Sequence, residues 1–228
     1  MNTKAVIAGV AGTAAASAIA VTTMRRGSST DGTGAEQRMS ELRRHLSDMI
    51  ALDTEVLNAV RRQLKSSQLD SYPEALAIAE EIERTLESHL EKLDEELEAM
   101  GGASQSALKS VAAGAIGMTA LVIDRLRTEP VSRMIRDDYV ALSLVAISYS
   151  MLHTTALSMG AQTLADAAQL CLEQTTPLVV RISDEMPRIV ALELERSQVP
   201  MQPEAGEAGE EHAHEAWQQG AQQEHQGF

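Results

Sequence analysis

Aromatic side chains are nearly missing from this chain of 228 residues, which has three Tyr, one Trp and one Phe. Two of the five, Trp217 and Phe228, fall in the last stretch of sequence. A core must therefore be assembled from Leu, Ile, Val, Ala and Met, a palette that suits helices far better than β-sandwiches. Cysteine is scarcer still. The single Cys171 excludes an intramolecular disulfide and any CxxC metal or redox motif. There is no basic surplus either: 19 Lys and Arg stand against 33 Asp and Glu, a net charge of -14, so the chain would mostly repel a polyanion. Nucleic acid is not an expected partner. No Ser-His-Asp elbow or zincin motif is present, and Gly114 and Gly117 lack the strand context a phosphate loop requires. A hydrolase or transferase therefore ranks below other readings.

What is present is a set of amphipathic periods between two unlike ends. Residues 5 to 24, AVIAGVAGTAAASAIAVTTM, carry no charge and are flanked by Lys4 and by Arg25 and Arg26. At about 1.5 Å per residue this run reaches roughly 30 Å, the thickness of a bilayer core. A single N-terminal hydrophobic helix over residues 1–26, retained as a membrane anchor, is the expectation. A signal peptide cleaved near Ala16-Ser17-Ala18 and a peripheral segment are the rivals. Arg25, Arg26 and Arg38 after the run favour a cytoplasmic main domain, with export after cleavage as the alternative. Residues 27–37 begin as GSSTDGTGA, a flexible linker by composition. Residues 199–228 hold six Glu and no Lys or Arg, so a disordered acidic tail is expected. His212, His214 and His225 within it invite a metal reading, against which composition favours plain solvation.

Between these ends, residues 38–198 are expected to form four long helices. Leu42, Leu46, Met49, Val56, Val60 and Leu64 recur at spacings of three and four, as do Ile78, Ile82, Leu86, Leu93 and Leu97 after Pro73. Gly101-Gly102 stops the second helix. The apolar run 111–123 is too short for a second span and reads as a buried or re-entrant connector. A third helix follows Thr128 and Pro130 and ends at Gly160, and a fourth runs from about 162 to 197. Pro177 and Pro187 should kink or divide the fourth. Two antiparallel pairs joined by a long connector predict an all-α, ferritin-like four-helix bundle with one crossover.

Three polar residues, Asp53, His89 and His153, fall on the inward stripes, and each needs a partner if buried. Counted from the turn between the first two helices, Asp53 and His89 lie roughly 20 and 24 Å along their axes, close enough to meet. They would form a structural hydrogen-bonded pair or half of a metal site. Di-iron bundles take a Glu from each of two helices and Glu-x-x-His from the other two. Here Leu86 and Ser150 stand where the carboxylates preceding His89 and His153 would be. His153 therefore reads as a polar residue satisfied within the bundle, and Cys171 as a small buried hydrophobe.

Leu46-x-Asp48, the acid at Asp53, His89-Leu-Glu91, the spacing of Tyr149, Leu152, Ala156 and Gly160, and Glu173 together resemble the YciE/YciF-type bacterial ferritin-like family over residues 42 to 190. The resemblance implies a ferritin-like bundle, often a homodimer, from a group associated with stress and with iron or peroxide handling. It implies Asp53, His89 and Glu173 as the metal-site candidates. Where the family has Glu-His-x-Glu in its third helix, this sequence has Leu142, Ser143 and Val145. The expected function is accordingly a membrane-tethered, non-catalytic structural or interaction protein without a cofactor, associating with the membrane through residues 5–24 and with another protein chain. An iron- or peroxide-handling protein with a reduced site for iron or another divalent metal is the alternative.

Overall fold

The computed structural model describes residues 31–102 and 130–226, and among them it contains five α-helices and no strand. The expected N-terminal helix over 5–24, the connector run 111–123 and the Thr128 cap lie outside the described residues. α1 spans Asp31–Leu64, α2 Pro73–Ala99, α3 Val131–Ser158, α4 Gln162–Arg196 and α5 Ala205–Gln226.

The inward stripes are those the spacing implies. Leu42, Leu46, Met49, Val56 and Val60 of α1 meet Ile78, Ile82, Leu86, Leu93 and Leu97 of α2 in one aliphatic core, and all are buried. Met134, Ile135, Leu142, Val145, Leu152 and Ala156 of α3 join them with Leu164, Ala168, Leu178 and Ile182 of α4. Truncating any one of the larger residues to Ala would cost about 2–5 kcal/mol, because the closely packed surroundings only partly collapse into the void.

Cross-helix contacts set the directions. Arg43 reaches the Met100 carbonyl while Arg61 pairs with Glu83 and Glu87, so α1 and α2 are antiparallel. His153 on α3 meets Ala165 on α4, and Ser132 meets Glu193, so this pair is antiparallel as well. Gln63 of α1 meets Asp138 and Asp53 meets Tyr149, which makes α1 antiparallel to α3 and leaves α2 parallel to α3. Gly102 and Pro130 therefore sit at opposite ends of the bundle, about 40 Å apart along a helix the length of α2. Between α1 and α2 the chain turns through a short 3-10 segment, Leu69–Ser71, with Leu69 buried. Gly101 and Gly160 adopt left-handed φ values of 73° and 72°, the conformation that ends helices at low steric cost.

Three boundaries differ from expectation. Helix α1 includes residues 31–37, inside the stretch expected to be linker; once a helix is nucleated, adding residues costs little, and each Gly only about 1 kcal/mol. Helix α4 is not divided by its prolines. Pro177 is exposed and Pro187 half-buried, both off the core stripe, so their rings do not disturb the packed face of the helix. The tail beyond 199 is not disordered over Ala205–Gln226: it forms α5, lying against α4. A Cβ added at Gly206 would stand 3.0 Å from the Ala191 Cβ, and one added at Gly209 would stand 3.0 Å from the Pro187 Cβ. Small residues thus let α5 approach closely, and Trp217 Nε1 donating to Ser183 Oγ at 2.7 Å and Arg188 pairing with Glu210 at 2.6 Å fix its register. Composition alone registered the polarity of this segment and not the spacing of its small residues.

Candidate functional site

Each helix of the four-helix core brings a polar side chain to one level along the bundle, three of them buried and the fourth, Gln174, reaching in from the surface. Asp53 from α1 and His89 from α2 are fully buried, with Asp53 Oδ2 3.8 Å from His89 Nδ1. Tyr149 from α3 donates its hydroxyl to Asp53 Oδ2 at 2.5 Å. The Tyr149 ring meets the His89 ring edge-on, 5.3 Å between centroids and 85° between planes. From α4, Gln174 Oε1 lies 3.1 Å from His89 Nε2, and Cys171 interacts with the Tyr149 hydroxyl. The expected meeting of Asp53 and His89 is thus found, but at 3.8 Å it is too long for a hydrogen bond. The acceptor of the short bond is Asp53 and its donor is the tyrosine.

Burial governs the charge states. Desolvation pushes Asp53 up to about 7, opposed by the Tyr149 hydrogen bond. Desolvation also pulls His89 down to about 4, with the Gln174 hydrogen bond opposing and Lys92 adding to the fall. Burial raises the Tyr149 phenol well above its usual range, and lifts the Cys171 thiol to about 12. Between about pH 4 and pH 7 the assembly is accordingly a neutral carboxylic acid, a neutral imidazole, a phenol and a thiol. It is not an ion pair, because neither charge has water or a strong counter-charge to support it. Asp53 Oδ1 and His89 Nδ1 have no hydrogen-bond partner.

Glu173, the third candidate ligand, does not join them. It is exposed on α4 and accepts from Gln169 one turn earlier at 2.8 Å. His153 is half-buried, with Nδ1 2.8 Å from the Ala165 carbonyl oxygen, so α4 supplies its partner. Among the described residues no three His, Cys, Asp or Glu side chains gather closely enough to hold a metal ion. A binuclear centre, which needs several bridging carboxylates, does not fit one Asp and one His surrounded by aliphatic side chains.

A second buried carboxyl was not anticipated. Asp138 on α3 accepts from Gln63 Nε2 on α1 at 2.8 Å, and desolvation pushes it up to about 7. The opposite oxygens, Asp138 Oδ2 and Gln63 Oε1, are unpartnered. The signal was present in the spacing. Asp138 continues the stripe Val131, Met134, Ile135, Leu142, Val145, Tyr149, and Gln63 continues Val56, Val60. Their polarity hid them. Nearer the surface, an open apolar hollow of about 530 Å³ lies between α3, α4 and α5, lined by Tyr139, Ile182, Met186, Val190, Leu194 and Trp217 among others.

Among the described helices α3 alone is long and apolar enough to cross a membrane, a test that the core helix of a bundle also passes. Its inner face nevertheless packs into the bundle, with Asp138, Leu142, Tyr149 and Leu152 buried.

No protein-family model matches the chain, and no curated protein does. A crystal structure of a protein from Xanthomonas campestris pv. campestris is similar in fold, with a TM-score of 0.58 and 23% identity. The match covers 71% of this chain and 99% of that one. At this identity the likeness speaks to the helical fold alone.

Proposed function

We propose that this protein is a membrane-tethered, non-catalytic ferritin-like bundle that acts as a structural or interaction protein, tethered through residues 5–24. The ferritin-like reading is supported by the parallel relation of α2 and α3, which requires one long crossover between Gly102 and Pro130. It is supported also by the sequence resemblance to the YciE/YciF-type family, with its association with stress.

The observation that carries the non-catalytic reading is the donor set at the centre. Four helices converge there, and they bring one carboxyl, one imidazole, one phenol and one amide. Tyr149 and Gln174 each bond one member of the set, and Asp53, His89 and Tyr149 are closed off from solvent at 0% exposure. Such a network fixes which helix faces which, a role open to buried polar groups in a core otherwise without directional contacts. The two orphaned atoms, Asp53 Oδ1 and His89 Nδ1, favour the second reading, an iron- or peroxide-handling protein with a reduced site.

Elemental analysis of the full chain purified aerobically with added Fe(II) separates the two. The scaffold reading expects substoichiometric iron, unchanged by Asp53→Ala or His89→Ala. Stoichiometric iron lost in both variants would establish the metalloprotein.

A further inference from the structure

Gln63 and Asp138 leave a pattern of bare atoms that one proton explains. Both side chains are buried, at 4% and 3% exposure, and one bond of 2.8 Å runs from Gln63 Nε2 to Asp138 Oδ1. The atoms left over are both oxygens, Gln63 Oε1 and Asp138 Oδ2, each sealed from solvent and each without a partner. An amide oxygen can only accept, and so can an ionised carboxyl oxygen. Two bare acceptors in a core are a costly arrangement. A carboxylic acid, in contrast, has an O–H to give.

We infer that Asp138 carries its proton on Oδ2 and donates it to Gln63 Oε1, closing a two-bond acid–amide ring that latches α1 to α3 and opens when the proton leaves. Carboxyl and carboxamide groups are planar forks of matching shape, so a bond between one pair of tips brings the other pair together. In the ring both oxygens of the acid and both polar atoms of the amide have a partner. Without the proton, Oδ2 and Oε1 are two acceptors set against each other, one of them charged, and the forks must part.

The charged groups around this level do not replace the proton. On α1, Arg61 pairs with Glu83 and Glu87 of α2, and Arg62 is exposed. On α3, Arg136 pairs with Asp137, and Arg133 is exposed. On α4, Arg181 pairs with Glu81 of α2, and Arg188 with Glu185 and with Glu210 of α5. Asp137 adds to the upward push that burial gives Asp138, so the ring stands below about pH 7 and is lost above it. It joins the last turn of α1 to the first turns of α3, at the end of the bundle where α2 begins and α4 finishes. The Asp53 network lies ten residues, about 15 Å, further down α1. Loss of the ring therefore frees one end while the middle stays joined.

The test uses the full chain in one detergent throughout. In nuclear magnetic resonance at about pH 6, a slowly exchanging carboxyl proton should show a nuclear Overhauser contact to the Gln63 side-chain amide, and Asp138→Asn should lack it. Amide hydrogen exchange over residues 60–66 and 131–138, corrected for the intrinsic effect of hydroxide, reads the latch itself. In wild type the opening of these segments should rise about tenfold from pH 6 to pH 8, because the closed form holds its proton to about 7 and the open form to 3.8. In Asp138→Asn an N–H stands at Oε1 at every pH, so opening should be flat with pH and no greater than in wild type at pH 6. Opening of that variant that climbs as in wild type would assign the proton to another group. Opening faster than wild type at pH 6 would show that Oε1 does not face the side chain at 138. A carboxyl proton in contact with other residues and not with Gln63 would overturn the ring without recourse to any variant.

Discussion

Asp53 and Asp138 are both buried acids on inward stripes, both pushed by desolvation up to about 7, and yet they are held quite differently. Asp53 sits where four helices meet and accepts a short bond from Tyr149, beside His89 and, through it, Gln174. Asp138 lies nearer the end of the bundle and accepts one bond from one amide, Gln63. The shared displacement shows that burial sets the protonation state. The differing neighbours determine what is lost when the acid is removed.

The largest effect is expected at Asp53. Asp53→Leu leaves the buried Tyr149 hydroxyl facing hydrocarbon and forces a differently shaped side chain in beside His89, a loss of about 2–4 kcal/mol in denaturant unfolding. Asp53→Asn keeps an acceptor for Tyr149 and should cost roughly 1 kcal/mol or less. Equal losses for the two would show that Asp53 acts by volume and not by hydrogen bonding. Asp138→Leu strands only the Gln63 amide, so about 1–2 kcal/mol is expected there, measurable in the same way. A larger loss at 138 than at 53 would invert the comparison.

The pH dependence sharpens it further. Both acids have folded values near 7 against 3.8 for a free side chain, so the stability held by their neutral forms is complete below about pH 4 and lost as pH rises to 7. His89, depressed to about 4 from 6.5, acts in the opposite sense, and its contribution is lost as pH falls through that window. With two acids against one imidazole, thermal unfolding should move to lower temperature between pH 5 and pH 8. Asp138→Asn and Asp53→Asn should each flatten that slope by one proton, and a slope unchanged in both would refute the assignment.

The smallest effect is expected outside the four-helix core. Gly209→Leu forces a side chain against Pro187 and should lift α5 without unfolding the bundle. The fluorescence anisotropy of Trp217, the single tryptophan, should fall. The main unfolding transition should shift by less than about 1 kcal/mol.

How far the sequence went can be followed along one helix. The stripe Ile78, Ile82, Leu86, Leu93, Leu97 announced the buried face of α2, and Gly101 its end, because a 3.6-residue period and a left-handed glycine act locally. The all-helical class followed from the same local rules and from the scarcity of aromatic residues. The proximity of Asp53 and His89 was legible too, since equal distances from a shared turn fix equal depth in an antiparallel pair. The sequence could not say that Tyr149 would come between them and take the short bond, that Glu173 would face water, or that Gln63 would find Asp138. Those pairings join residues far apart in the chain, and they depend on how helices rotate about their axes when packed. Nor could polarity reveal that α5 docks, because its contact rests on glycines whose value appears only once Pro187 and Ala191 are opposite them. Periodicity and stop residues wrote the rods and their greasy sides. Only packing decided which polar atoms met, because a few degrees of helix rotation separate a satisfied carboxyl from an exposed one.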